Sequence, residues 1–228
     1  GAIRVALGRG GPLAGRTVVV TAGGTHEPID PVRFIGNRSS GQMGYAIAEE
    51  ARDRGAAVIL VSGPTALAEP YGIDVRQVET AAAMHDAVTT ATAEAAALVM
   101  AAAVADFRPA APSDHKLKKE PGETERALAL VRNPDILASV ARAGLVTVGF
   151  AAETERLLDN AAAKLRSKSL DMIVANDAAA TIGAPTSQAT ILRPGHEPKR
   201  LPALPKEELA AIIVDHLQSL LAAPERGA

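Results

Sequence analysis

Between Thr21 and Gly44 the chain reads TAGGTHEPIDPVRFIGNRSSGQMG, a concentration of groups suited to holding an anion. Gly23 and Gly24 would let backbone approach a phosphate closely, and Thr25, Ser39 and Ser40 offer hydroxyls. Arg33 and Arg38 add permanent cations with planar donor forks. The free amides at the start of the following helical run, Tyr45–Arg54, would favour negative charge. An ordinary strand-to-helix turn, with Ser39 or Ser40 capping the helix, is the plainer reading. Length weighs against it, since such connections usually take about 2–6 residues.

Three further tracts carry candidate chemistry. In MAAAVADFRPA (Met100–Ala110) the small residues Ala101–Ala103 would let a planar base lie against the backbone, whose amides and carbonyls could pair with a base edge; Asp106 marks the polar exit. Core packing and a turn residue explain that tract equally well. Lys116, Lys118 and Lys119 precede Glu120-Pro121-Gly122-Glu123, a turn signal inside a hairpin-like flap over about 110–132. Its lysines could close over a triphosphate, or form a solvated edge. Asn133-Pro134-Asp135-Ile136-Leu137 reads as a helix start, with Asn133 at the cap and Pro134 at the first helical position. Its free amides suggest a second anion site, which Asp135 would oppose unless a metal ion or its own orientation relieves the charge; a plain N-cap needs no ligand. Lys164 and Lys168 share one helical face, where lysines ordinarily complement the helix dipole.

These tracts are spaced by alternating strand and helix patterns. Strands are expected at Arg16–Thr21, Ala57–Val61, Ile73–Val78, Leu98–Ala103, Leu145–Phe150 and Asp171–Asn176, with a closing hairpin at Gln188–Leu192 and Lys199–Leu201. Helices are expected at Gly44–Arg54, Thr80–Glu94, from Thr154-Glu155 to Lys168, and at Leu209–Leu221. The pattern predicts an α/β fold: a Rossmann-like, doubly wound, mostly parallel sheet with a lysine-bearing flap hairpin. Ligand loops would follow strands one, four, five and six and converge at one sheet edge.

Composition narrows the function. A net charge of -2 gives no electrostatic case for nucleic acid or an anionic membrane, and 2% aromatics provide no stacking platform. There are no cysteines, so disulfides, thiolate zinc sites and a cysteine nucleophile are excluded. The histidines show no metal-ligand spacing. The longest apolar run, Ala95–Ala105, falls short of the about 20 residues a membrane span needs. A soluble, cytoplasmic protein is expected. At 228 residues the chain allows one large domain or two small ones, at about 150 residues per domain; one is expected, because no long linker interrupts the alternation.

The glycine-rich loop, MAAAVADFRPA, HKLKK (His115–Lys119) with RNPDIL (Arg132–Leu137), and VGFAAET (Val148–Thr154) with DMIVAND (Asp171–Asp177) occur in one order. Together they resemble the phosphopantothenate–cysteine ligases, over nearly the whole chain. The resemblance implies a bacterial-type, CTP-dependent reaction: the carboxylate of 4'-phosphopantothenate attacks the α-phosphorus, an acyl-cytidylate forms, and the cysteine amine displaces CMP. By the same resemblance Asn37 and Lys116 are catalytic, Asn37 holding the acyl carbonyl or carboxylate and Lys116 neutralising charge. Asp106, Lys116, Pro134, Asp135, Ile136, Leu137, Phe150, Lys164 and Lys168 would bind CTP. Gly23, Gly24, Thr25, Arg33, Asn37, Ser39 and Ser40 would bind substrate. Magnesium would ride on the triphosphate, with no dedicated carboxylate cage. A homodimer is expected. Relatives are often fused to a flavin-dependent decarboxylase, so residues 1–13 are read as a linker remnant, 14–228 as the ligase domain, and FMN as belonging to the absent half.

Two other classes share parts of this pattern. An NAD(P)-dependent oxidoreductase would share the architecture, but the loop lacks G-x-G-x-x-G and strand two lacks its acid. A non-catalytic nucleotide-binding module would keep a base site and need neither the Asn37 tract nor the Lys116 cluster.

Overall fold

Val18, Val19 and Val20 are fully buried, and the strand they form, β1 (Thr17–Ala22), lies near the centre of an eight-stranded sheet. A β-branched run without alternation suits a strand covered on both faces. The computed structural model describes residues 1–140, 142–153, 155–177, 184 and 186–223. Helix α1 (Ala2–Gly8) precedes β1; a small hairpin, β2 (His26–Pro28) and β3 (Phe34–Gly36), follows it, and then α2 (Gln42–Asp53). The chain continues through β4 (Ala57–Ser62), β5 (Asp74–Gln77), α3 (Ala81–Thr92) and β6 (Ala97–Met100). Next come β7 (Phe107–Pro109), β8 (Leu130–Arg132), α4 (Ile136–Val140), β9 (Val146–Glu153), α5 (Leu157–Ser167) and β10 (Met172–Asp177). The antiparallel pair β11 (Thr186–Leu192) and β12 (Lys199–Pro205) and the helix α6 (Lys206–Ala222) complete it.

The sheet order is β12-β11-β10-β9-β6-β1-β4-β5, and every neighbouring pair from β10 to β5 is parallel. Counting only parallel strands in chain order, this is the 3-2-1-4-5-6 arrangement, whose strand order reverses between β1 and β6. Two apolar clusters cover the sheet: one joins α2 and α6 to one face, the other packs α3, α4 and α5 on the opposite face. The expected doubly wound, mostly parallel α/β fold is therefore present. Thr80 caps α3 through a hydrogen bond from the Ala83 amide, and Gly55 turns the chain after α2 at φ 94. The flap is also present. Its base is a two-stranded ladder in which Phe107 faces Arg132 and Pro109 faces Leu130.

Three expectations of local conformation differ. Residues 2–8, within the segment read as a linker remnant, are helical and pack on α2, and Leu13 is buried in the core. Helix α5 begins at Leu157 after a left-handed Arg156 (φ 49); Thr154, given as its start, lies outside the described residues. Asn133 does not cap α4. Its Nδ2 donates to the Ala105 carbonyl at 2.8 Å and its Oδ1 accepts from Arg108, tying the flap base to the loop after β6. Asp135 takes the capping position instead, accepting from the Ala138 amide at 3.2 Å.

Candidate active site at the sheet switch point

Where strand order reverses, the loops after β1 and β6 run side by side. The Ala103 amide donates to Gly23 O, the Thr25 amide donates to Ala103 O, and the Thr25 hydroxyl accepts from the Ala105 amide. Gly23 lies at φ 77, and a Cβ on Gly24 would stand 2.6 Å from the Asn37 carbonyl. Gly23, Gly24 and Thr25 are buried, and the Gly23 carbonyl, the Thr25 amide and the Thr25 hydroxyl join the two loops. None of the three, expected to bind substrate, is among the residues that line the cleft beside them. The Ala101–Ala103 tract lines the larger lobe. The Ala102 amide donates to Thr21 Oγ1 and both Ala103 backbone groups are paired, so part of the tract's backbone edge is occupied.

The cleft has two lobes. The larger, 380 Å³, is lined by Asn37, Ser39, Ser40, Asp106, Phe150 and Lys164 among others; the smaller, 240 Å³, by Asp106, Pro134, Asp135, Phe150, Lys164 and Lys168, with Ile136 and Leu137 at its base. Asp106, Phe150 and Lys164 belong to both, so the lobes form one continuous groove. Ile136 and Leu137 bury their side chains in the core, which leaves chiefly backbone for the groove. Asn37 Nδ2 donates to the Val104 carbonyl at 3.0 Å, fixing its carboxamide across the two loops. Helix α2 starts at the larger lobe with Gly41 at φ 75 and no side-chain cap, so its first-turn amides remain available there. Ser39, expected as a possible cap, accepts from the Gly41 amide instead. A wider concavity of 770 Å³ between α2 and Leu67–Tyr71 contains none of the expected site residues.

The two lysines of α5 differ in role. Lys164 Nζ donates to the Phe150 carbonyl at 2.7 Å, and burial, then the nearby Lys168, pushes its pKa below that of an ordinary lysine despite Glu153, Asp135 and Asp106. Lys168 pairs with Asp135 at 2.9 Å. Burial by itself would raise the Asp135 carboxyl, but the hydrogen bonds from Lys168 and the Ala138 amide outweigh it and hold the pKa down. The Asp135 carboxylate is thus balanced by a lysine.

Arg33 and Lys116 are not brought into the groove. The Arg33 guanidinium binds the Asp30 carboxylate through Nε at 3.0 Å and through a shorter second contact, and donates to the Leu117 carbonyl at 2.8 Å. Asp30 accepts in addition from the amides of Val32, Arg33 and Leu117. Its carboxyl lies well below the usual carboxylate range, chiefly because of the Arg33 hydrogen bond. This clamp fastens the flap to the β2–β3 hairpin beside Lys116, which is itself exposed. Sequence reasoning missed Asp30, and also Lys206, a buried lysine in the larger lobe. Lys206 had one signal: a lysine at the first position of a helix, where acids are favoured. Among the described residues no group of three His, Cys, Asp or Glu could hold a metal ion, and no helix is long and apolar enough to cross a membrane.

Fold and groove together define a Rossmann-like α/β protein with its ligand cleft at the topological switch point. The chain belongs to the family of DNA/pantothenate metabolism flavoprotein C-terminal domains, which matches residues 13–221. Its sequence is 51% identical over 177 residues to the Coenzyme A biosynthesis bifunctional protein CoaBC of Mycobacterium tuberculosis, covering 72% of this chain and 42% of that protein. The Bacillus subtilis protein of the same name is 43% identical over 216 residues, covering 92% of this chain and 52% of the relative. The chain thus spans about half the length of these relatives. A crystal structure of the C-terminal domain of a CoaBC superimposes with a TM-score of 0.79 at 40% identity, covering 92% of this chain and 97% of that one. The resemblance to the ligase half read from the motifs is borne out at the level of family.

Proposed function

We propose that the chain ligates cysteine to 4'-phosphopantothenate at the expense of CTP, giving phosphopantothenoylcysteine, CMP and pyrophosphate. The observation that carries this reading is the meeting of Asn37, Asp106 and Lys164, from three distant segments, on one groove. The relatives' place in coenzyme A biosynthesis agrees with it. In this reading the smaller lobe takes the nucleotide. Lys164 supplies positive charge there, and Lys168 adds its own once phosphate competes with Asp135. A carboxylate oxygen attacks the α-phosphorus, the bond to pyrophosphate breaks, and the acyl-cytidylate forms with Asn37 against its acyl group. The cysteine amine then attacks the acyl carbon, CMP leaves, and the amine gives up a proton. Positioning and fixed charge do the work, as in other phosphoryl-type transfers.

Lys116 acts on this scheme only after the flap carries it toward the groove, shutting out water. Magnesium is assigned to the nucleotide's phosphates. Phe34, Phe107, Leu130 and Val131 are exposed apolar residues on the β2–β3 hairpin and the flap base, which supports a homodimer formed through this face. We read residues 13–221, the span of the family match, as the ligase unit, and the setting as cytoplasmic. Mass spectrometry of a mixture of the protein with CTP, 4'-phosphopantothenate and cysteine tests the function. The expected products are phosphopantothenoylcysteine and CMP, and their absence refutes it.

A further inference from the structure

Two polar side chains on the wall of the larger lobe have no task in the fold. Ser187, on β11, is 3% exposed, and Asn176, near the end of β10, is half-buried. Both line the larger lobe, and neither lines the smaller. Among the described residues the Ser187 hydroxyl and the Asn176 carboxamide form no hydrogen bond. Buried polar groups are ordinarily paired, and an unpaired one costs free energy. The register puts the two on one face of the sheet. Asn176 pairs with Ala152 and Ala189, and Ser187 lies two residues from Ala189 along β11.

The pair has a definite chemistry. Asn176 offers an amide donor and a carbonyl acceptor, and Ser187 a hydroxyl that can do either, but neither carries charge. A phosphate, a carboxylate or an ammonium is held best by charged partners. An uncharged amide or alcohol suits these two groups. Ala152, Val174, Ala189 and Leu209 line the same lobe and surround them with apolar surface. The site therefore fits a ligand segment that combines neutral polar groups with branched aliphatic carbon. In 4'-phosphopantothenate that segment lies between the two charged ends: an amide, then a hydroxyl, then a dimethyl carbon.

We propose that Asn176 accepts a hydrogen bond from the amide N–H of 4'-phosphopantothenate and that Ser187 pairs with its hydroxyl. This assignment rests on the ligase reading and names the residues that select the uncharged middle of the substrate. The order of strands supports it. Phe150 on β9 belongs to both lobes, so the acyl group meets the nucleotide beside that strand. Strands β10 and β11 follow β9 in the sheet, each about 4.8 Å further on. The amide follows the carboxylate after a short aliphatic spacer and reaches β10; the hydroxyl lies beyond it and reaches β11.

Steady-state kcat/KM with CTP and cysteine tests this on 4'-phosphopantothenate and two analogues. One analogue carries an ester oxygen in place of the amide N–H, and the other lacks the hydroxyl. The wild type should lose on the order of 10-fold with each, because each leaves one protein group unpaired. Asn176→Ala should use the ester as well as the natural substrate while keeping the penalty on the hydroxyl-free analogue. Ser187→Ala should show the reverse. Neither substitution removes a side-chain hydrogen bond among the described residues, and the wild-type comparison stands without them. A wild type indifferent to both analogues overturns the assignment. So does a variant that keeps the penalty it should lose, or one whose KM for cysteine rises instead. A wild type that ligates none of the three overturns the ligase reading, and this assignment with it.

Discussion

Lys164 is the residue whose removal separates binding from folding. In Lys164→Met the ammonium disappears while the length of the side chain remains. The folded protein loses one hydrogen bond to the Phe150 carbonyl, and bonds involving a charged group contribute about 1.5–3 kcal/mol. It also escapes the cost of burying the charge, which the lowered pKa registers. The orphaned carbonyl faces a groove that water can enter, so the terms nearly cancel and the net change in stability should stay within about 1 kcal/mol. Nucleotide binding has no such offset. Loss of one preorganised charge beside phosphate costs about 2–4 kcal/mol, or roughly 30- to 1,000-fold in affinity. Thermal unfolding and calorimetry with CTP, on the same preparation, read the two quantities. A Tm close to wild type with CTP affinity lowered at least 30-fold is expected. Unchanged CTP affinity would refute the assignment of the smaller lobe to the nucleotide.

The same lysine sets a pH dependence. Binding needs its charged form, so CTP affinity should fall as pH rises through the depressed pKa of Lys164, earlier than for an ordinary lysine, and a Lys164→Arg variant should remove that step. The unliganded protein behaves oppositely, gaining stability as pH passes above the folded pKa toward the unfolded one. Asn37→Ala should stop acyl-cytidylate from accumulating in quenched-flow samples; formation and consumption at near wild-type rates would remove Asn37 from catalysis. Lys116→Gln should slow turnover by on the order of 10²-fold, and an unchanged steady-state rate would reduce that lysine to solvated flap. Asp30→Ala should release the flap, raising hydrogen exchange at the Leu117 amide by roughly 10-fold or more while exchange in β1 stays slow; continued protection at Leu117 would mean the clamp is redundant.

Much of the architecture was legible because its signals are local. Buried strands such as Val18–Val20 and Val58–Val61 announce themselves as β-branched and aliphatic runs, and Thr80 and Gly55 mark helix ends through chemistry confined to one turn. The antiparallel flap followed from a Pro-Gly turn between polar and apolar arms. The order of motifs was enough to place the chain in its family, since each motif is contiguous.

Tertiary structure decided which of the chemistry-bearing residues face the groove. Composition made Gly23, Gly24 and Thr25 look like a phosphate cradle, but the Gly23 carbonyl and the Thr25 amide and hydroxyl pair with Ala103 and Ala105, and no local pattern records a partner about eighty positions away. Arg33 is bound by Asp30 and the flap, while Lys206 reaches the groove only because α6 packs beside α2. Sequence specifies which groups can donate, accept or carry charge. Which of them remain available is settled by long-range hydrogen bonds and burial, and these exist only once the sheet has brought its loops together.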